Sequence, residues 1–144
     1  MIYLNGKWQP LSDAKVSVLD RGFLFADGVY EVVPVYSRHA FRLDEHLQRL
    51  QASLDSIRLT NPLSAAEWRK LVLQAITQQD FDDQQVYLQV TRGCGPNRDF
   101  PFPAPTTPST LIYPMPLITA SAELKAQVLN ECAQPGISVA RVAL

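Results

Sequence analysis

The sequence predicts one α+β domain in which an antiparallel sheet packs against two principal helices. Three observations carry this expectation. Short runs of β-branched and aromatic residues lie on both sides of two stretches with helical hydrophobic period. Turn-forming residues separate the runs closely enough for antiparallel pairing. A chain of 144 residues can bury one core without help from metals or disulfides.

The chain opens with a predicted hairpin: Ile2-Tyr3-Leu4 and Trp8-Gln9 flank Asn5-Gly6, a dipeptide suited to the positive φ values of a tight reversal. Pro10 ends it. Val16-Ser17-Val18-Leu19 alternates weakly, and Asp20-Arg21-Gly22 is expected to turn the chain toward Phe23. Val29 to Tyr36 is the strongest strand, and Pro34, having no N–H to donate, argues for an edge or a bulge there. Ser37-Arg38-His39-Ala40 should turn, with Phe41-Arg42-Leu43 pairing back.

Asp44 has the chemistry of a helix cap, and Leu47, Leu50, Leu54 and Ile57 recur at helical spacing, which predicts a helix over about 44–59. Ser64-Ala65-Ala66-Glu67 has capping-box spacing, and Trp68, Leu71, Val72 and Ile76 share a stripe, predicting a second helix over about 65–79. Gln85 to Arg92 alternates as a strand with Val86, Leu88 and Val90 inward. Five prolines between residues 94 and 109 exclude regular structure and predict a stiff, extended loop. Thr110 to Tyr113 resumes a strand. Ser121 to Cys132 is a candidate short helix, and Ile137 to Val142 a further strand. An end two residues later, inside a β-rich run, reads as a cut chain, because a terminal strand left unpaired exposes an apolar edge.

Thirteen basic residues against fourteen acidic ones, with a formal charge of −1, leave no net field for phosphate backbones or anionic lipid, so neither nucleic acid nor membrane is an expected partner. No apolar run is long enough to cross a bilayer and no basic leader precedes one, which makes the cytoplasm the expected compartment. Cys94 and Cys132 have no CxxC or His/Cys neighbours and read as reduced thiols, with no metal site expected. His39 and His46 read as a turn histidine and a helix-face histidine. The chain has no GxSxG, Walker, GxGxxG or HExxH pattern.

The segment Asp20-Arg21-Gly22-Phe23-Leu24-Phe25-Ala26-Asp27-Gly28-Val29-Tyr30-Glu31-Val32 resembles the DRG-x-x-F-G-D-G-V-Y-E-V segment of D-amino-acid transaminases, which are class IV pyridoxal-phosphate aminotransferases. Asp44 to Leu50, Gln89 to Gly93 and Arg98 to Pro103 resemble the same family in the same order. The resemblance implies that residues 1–144 form the N-terminal domain, with the cofactor domain outside this chain. It implies that Arg49 binds the cofactor phosphate, a task for a permanently charged planar fork. An alternative for Arg49 is a surface pair with Glu45, four residues earlier. Tyr30 matches a tyrosine lining the substrate pocket, and Val32 shares its strand face; the alternative is a core pair of ordinary strand residues. Arg98 matches an arginine that helps hold the substrate α-carboxylate across a homodimer interface; the alternative is a solvated loop arginine. Phe100 departs from the pattern, which often has His there, and offers neither donor nor charge.

The resemblance also implies a Schiff-base lysine, expected beyond Leu144, and an acidic partner for the cofactor ring. Lys7, Lys15, Lys70 and Lys125 lack the family surroundings, so no catalytic residue is expected within the chain, and it is expected to be inactive and without bound pyridoxal phosphate alone. For the complete enzyme the implied reaction moves an amino group between an amino acid and a 2-oxo acid. Two alternatives stand beside it: an aminodeoxychorismate lyase of the same fold, and a truncated binding or scaffold domain.

Overall fold

The computed structural model describes residues 1–117. Within them lie β1 (Ile2–Leu4), β2 (Lys7–Gln9), α1 (Arg21–Phe25), β3 (Gly28–Tyr36), β4 (His39–Ala40), α2 (Leu43–Ser56), α3 (Ala65–Thr77), β5 (Gln84–Thr91) and β6 (Ser109–Pro116). The elements expected at Ser121 to Cys132 and Ile137 to Val142, with Cys132 and Lys125, lie outside the described residues. The strands form one antiparallel sheet in the order β2-β1-β6-β5-β3-β4.

Alternation sorts the sheet into two faces. Val33 and Val35 of β3, Val86, Leu88 and Val90 of β5, and Ile112 of β6 are fully buried. They pack against Leu47, Leu50 and Leu54 of α2 and Trp68, Val72 and Ile76 of α3. Cross-strand register puts Tyr30, Val32, Tyr87, Gln89, Leu111 and Tyr113 together on the opposite face. Among the described residues, α2 and α3 therefore cover one side of the sheet, while the short α1 lies at the end of the other, with Gly22 against Thr91.

The local signals for most elements hold. Asn5 (φ 48) and Gly6 (φ 90) make the first reversal, and Asn5 then exchanges two hydrogen bonds with Thr110, through its N–H (2.9 Å) and its side-chain oxygen (2.8 Å). Ser64 and Glu67 close the expected capping box on α3. Pro34 fits the edge reading in a specific way. Its carbonyl accepts from Phe41 at 2.8 Å, so its missing N–H points to the side where only the two-residue β4 runs. From Gly28 to Val33, β3 has β5 on one side and no strand on the other among the described residues.

The weak alternation of Val16 to Leu19 yields no strand, and Val16 and Val18 are exposed. Four local expectations are corrected. Asp20-Arg21-Gly22 starts the short helix α1, with the Asp20 carboxylate accepting from the Gly22 N–H at 2.8 Å. An Asp turn and a first helical turn share that bond. The reversal after β3 is made by Ser37 (φ 47) and Arg38 (φ 65) alone, so the return strand is His39–Ala40, earlier than expected. Helix α2 is entered through Arg42 in the left-handed region, not capped by Asp44, whose carboxylate instead pairs with Arg69 of α3. Strand β6 continues through Pro114, because alternate residues from Thr110 turn their polar groups toward β1, which has ended by that point.

Leu88 lies at the centre of this packing, fully buried on the middle of β5. Leu88→Ala is expected to cost about 2–5 kcal/mol, read as a lower urea midpoint with an unchanged denaturant slope.

Candidate functional site

Glu31 breaks the apolar parity of β3. It stands on the helix-covered face with Val33 and Val35 and is 4% exposed, so its charge needs partners. Helix α2 supplies them: Arg49 donates through Nε to Oε1 at 2.6 Å and through Nη2 to Oε2 at 2.7 Å, and His46 Nδ1 lies 2.9 Å from Oε2. Burial alone would raise the Glu31 carboxyl, but the hydrogen bonds from Arg49 and His46 override it and hold the group below its ordinary value. The same contact raises the Arg49 guanidinium. Arg49 nevertheless remains 65% exposed at its side chain. Glu31 engages its Nε–Nη2 edge, and Arg49 lines a cleft of about 360 Å³ together with Pro34, Phe41, Arg42, Glu45 and His46.

The pair with Glu45 does not form; Glu45 takes Arg42 instead at 3.0 Å. His46 is a helix-face residue, as expected, with a specific carboxylate partner.

Tyr30 and Val32 emerge from the other face of the same strand. Tyr30 is exposed and stacks on Tyr87, ring centroids 5.6 Å apart and planes 24° from parallel. Val32 lies opposite Tyr87 in the register. The Tyr87 hydroxyl donates to Gln89 at 3.1 Å, and burial, with Tyr30 beside it, pushes its pKa up and keeps the phenol neutral. Tyr30 and Val32 are thus not members of the packed core.

The third group lies at the end of the sheet where β3 begins and β5 ends. The Asp27 carboxylate accepts from Arg21 Nε at 2.8 Å and Arg92 Nε at 2.8 Å, and both arginines are buried. The remaining guanidinium donors go to backbone carbonyls. Arg21 donates to those of Asp99 (2.7 Å), Phe100 (3.3 Å) and Pro101 (3.4 Å), and Arg92 to Ile57 (2.7 Å) and Arg58 (3.3 Å). Asp20 adds a second clasp: its carboxylate accepts from Thr91 Oγ1 at 3.0 Å and Ser109 Oγ at 2.6 Å. Gly93 completes the crossing with φ +81, where a Cβ would collide with the Thr107 carbonyl.

This framework carries the proline-rich loop and sets Arg98 and Phe100 outward. Both are exposed and both reach α1, Arg98 lying 5.0 Å from the Phe25 centroid and Phe100 packing on Phe25 at 5.6 Å. The singled-out residues therefore fall into two groups. Arg49 lies on one face of β3 and Tyr30 and Val32 on the other, whereas Arg98 and Phe100 sit on the loop over α1.

Sequence reasoning did not single out Glu31, Arg21, Asp27 or Arg92 as a connected set. Glu31 carried a usable signal, a charge on the buried parity of a strand. Asp27 carried none, since nothing in one sequence pairs it with a residue 65 positions later. Burial would raise the Asp27 carboxyl, but the bonds from Arg92 and Arg21 hold it below its ordinary 3.8. A depressed carboxyl contributes stability fully above its unfolded value and loses it as pH falls through the folded one. Urea midpoints are therefore expected to fall steeply below about pH 4, and Asp27→Asn is expected to lower stability by about 3 kcal/mol at neutral pH while flattening that acid limb.

Among known families, the model of amino-transferase class IV matches residues 28–139. A D-alanine aminotransferase of Bacillus licheniformis is 36% identical over 116 residues, covering 81% of this chain and 41% of that protein. A putative branched-chain-amino-acid aminotransferase of Methanocaldococcus jannaschii is 43% identical over 94 residues, 65% of this chain and 33% of that one. The solved 4-amino-4-deoxychorismate lyase from Pseudomonas aeruginosa superposes with a TM-score of 0.71 at 27% identity, over 88% of this chain and 44% of that one. The chain spans a third to two-fifths of the length of these curated relatives. With a family match over most of its length and the helix-covered sheet described above, the chain belongs to the class IV aminotransferases.

Proposed function

We propose that the chain is the N-terminal domain, residues 1–144, of an enzyme that moves an amino group between a D-amino acid and a 2-oxo acid with pyridoxal phosphate, acting as a homodimer. The arrangement around Glu31 carries this reading. A buried carboxylate occupies one edge of the Arg49 guanidinium and fixes its plane, while the other edge stays accessible. A fixed, permanently charged N–H edge suits a phosphate dianion, so the residues present fit the phosphate end of the cofactor. When bound, that cofactor supplies an electron sink for the substrate α-carbon.

The chain's own residues would bind and orient. Arg49 would hold the phosphate. Tyr30 and Val32 would border the substrate from the other face of β3, because a ligand lying along the open edge from Gly28 to Val33 is within reach of both faces. Arg98 would hold a substrate carboxylate in the partner protomer's site, which accords with its place in a separate group away from Arg49. The lysine that accepts and returns the α-proton is assigned to sequence beyond Leu144. A second reading, the aminodeoxychorismate lyase, is favoured by Phe100 where the transaminase pattern often has His, and by likeness to the lyase structure.

Full-length protein mixed with D-alanine and 2-oxoglutarate is expected to form pyruvate and glutamate together. No glutamate from any of several amino donors would overturn the transaminase reading, and pyruvate from aminodeoxychorismate would replace it with the lyase. Arg49→Ala is expected to weaken pyridoxal phosphate binding by about 10- to 100-fold, the worth of charge-assisted hydrogen bonds, measured by absorbance titration.

A further inference from the structure

Three guanidiniums and three rings alternate through the loop and α1. Arg92 lies 3.9 Å from the Phe102 centroid and Arg21 5.5 Å from the same ring. Arg21 is 4.6 Å from Phe25, and Arg98 is 5.0 Å from Phe25 and 5.7 Å from Phe100. The first two cations are buried and bound to Asp27 and backbone carbonyls. The third differs. Among the described residues no carboxylate forms an ion pair with Arg98, and the adjacent Asp99 carboxylate accepts from the Phe100 N–H at 2.8 Å.

We infer that Phe25 and Phe100 are positioning residues that present Arg98 as an amphipathic carboxylate subsite, selective for carboxylates attached to an apolar group. Ring faces attract a guanidinium through its plane and leave its N–H edges pointing outward, which is the orientation a bidentate carboxylate requires. Phe100, 5.7 Å from Arg98, is 74% exposed, so apolar surface borders the cation where a ligand's remainder would lie. Arg21 sets Phe100 by gripping the carbonyls of Asp99, Phe100 and Pro101. Phe100 thus substitutes an aromatic support for the hydrogen-bonding group expected there, and it shifts preference from small polar carboxylates toward apolar ones. The inference rests on the carboxylate role proposed for Arg98.

Phenylglyoxal labelling of Arg98 in the full-length protein, followed by peptide mass mapping, tests it without relying on turnover. Phenylacetate is expected to slow labelling of Arg98 at lower concentration than acetate. Phe25→Leu and Phe100→Leu are each expected to need about two- to fivefold more phenylacetate for equal protection, the worth of an exposed cation–π contact. Phe25→Tyr keeps the ring and is expected to retain protection. Equal protection in wild type and both Leu variants would overturn the positioning role, and equal potency of acetate and phenylacetate would overturn the apolar selectivity. An absence of protection in wild type would remove the carboxylate role of Arg98 and the inference with it. Protection without glutamate formation would instead sink the transaminase reading and leave the subsite standing.

Discussion

The Asp27 carboxylate, shared between two buried guanidiniums, is the interaction on which this end of the molecule depends. One carboxylate cannot neutralise two arginines, so the remaining donors must be satisfied elsewhere. They are satisfied by backbone carbonyls of segments distant in sequence: residues 57 and 58 after α2, and residues 99 to 101 in the loop. The excess positive charge thus becomes the device that ties α1, the end of α2 and the proline-rich loop together. A neutral pair at positions 21 and 92 could fill the same space but would have no reason to hold those carbonyls.

Strand β3 then divides the chemistry. Its two side-chain parities serve different purposes. Glu31 faces the helices and fixes Arg49, while Tyr30 and Val32 face outward beside Tyr87. The strand is also open along its edge from Gly28 to Val33 among the described residues. Pro34 helps to keep the neighbouring strand short, because it has no N–H to extend a ladder on that side. An exposed strand edge is normally a liability; in the function proposed above it is where one ligand would reach both faces.

What the sequence disclosed follows the range of the forces involved. The Asn5-Gly6 reversal, the Ser64/Glu67 capping box and the inward Val86, Leu88 and Val90 were legible because each is decided within a few residues. Asp44 was misplaced as a cap because its carboxylate serves Arg69 on another helix, and α1 was read as a turn because its first hydrogen bond is the same in either. Arg49, Tyr30, Val32, Arg98 and Phe100 came forward through resemblance, and their partners did not. The Glu31–Arg49 and Asp27–Arg92 pairs span 18 and 65 residues, where no periodicity reaches.

The segment that carries the resemblance is consequently more structural than its position near a site suggests. Asp20 and Gly22 start a short helix, and the Asp20 carboxylate clasps Thr91 and Ser109. Arg21 and Asp27 hold the loop, and Glu31 holds Arg49. Tyr30 and Val32 are the members whose side chains face away from the helix-packed core. Such a segment can accompany different chemistries, because what it specifies is where an arginine edge, a tyrosine face and a loop are held in space. The choice among them falls to exposed positions that this framework presents without constraining. Phe100 is the clearest of these: its carbonyl is gripped by Arg21, while its side chain extends into solvent beside Arg98, free to change in character without loosening the backbone beneath it.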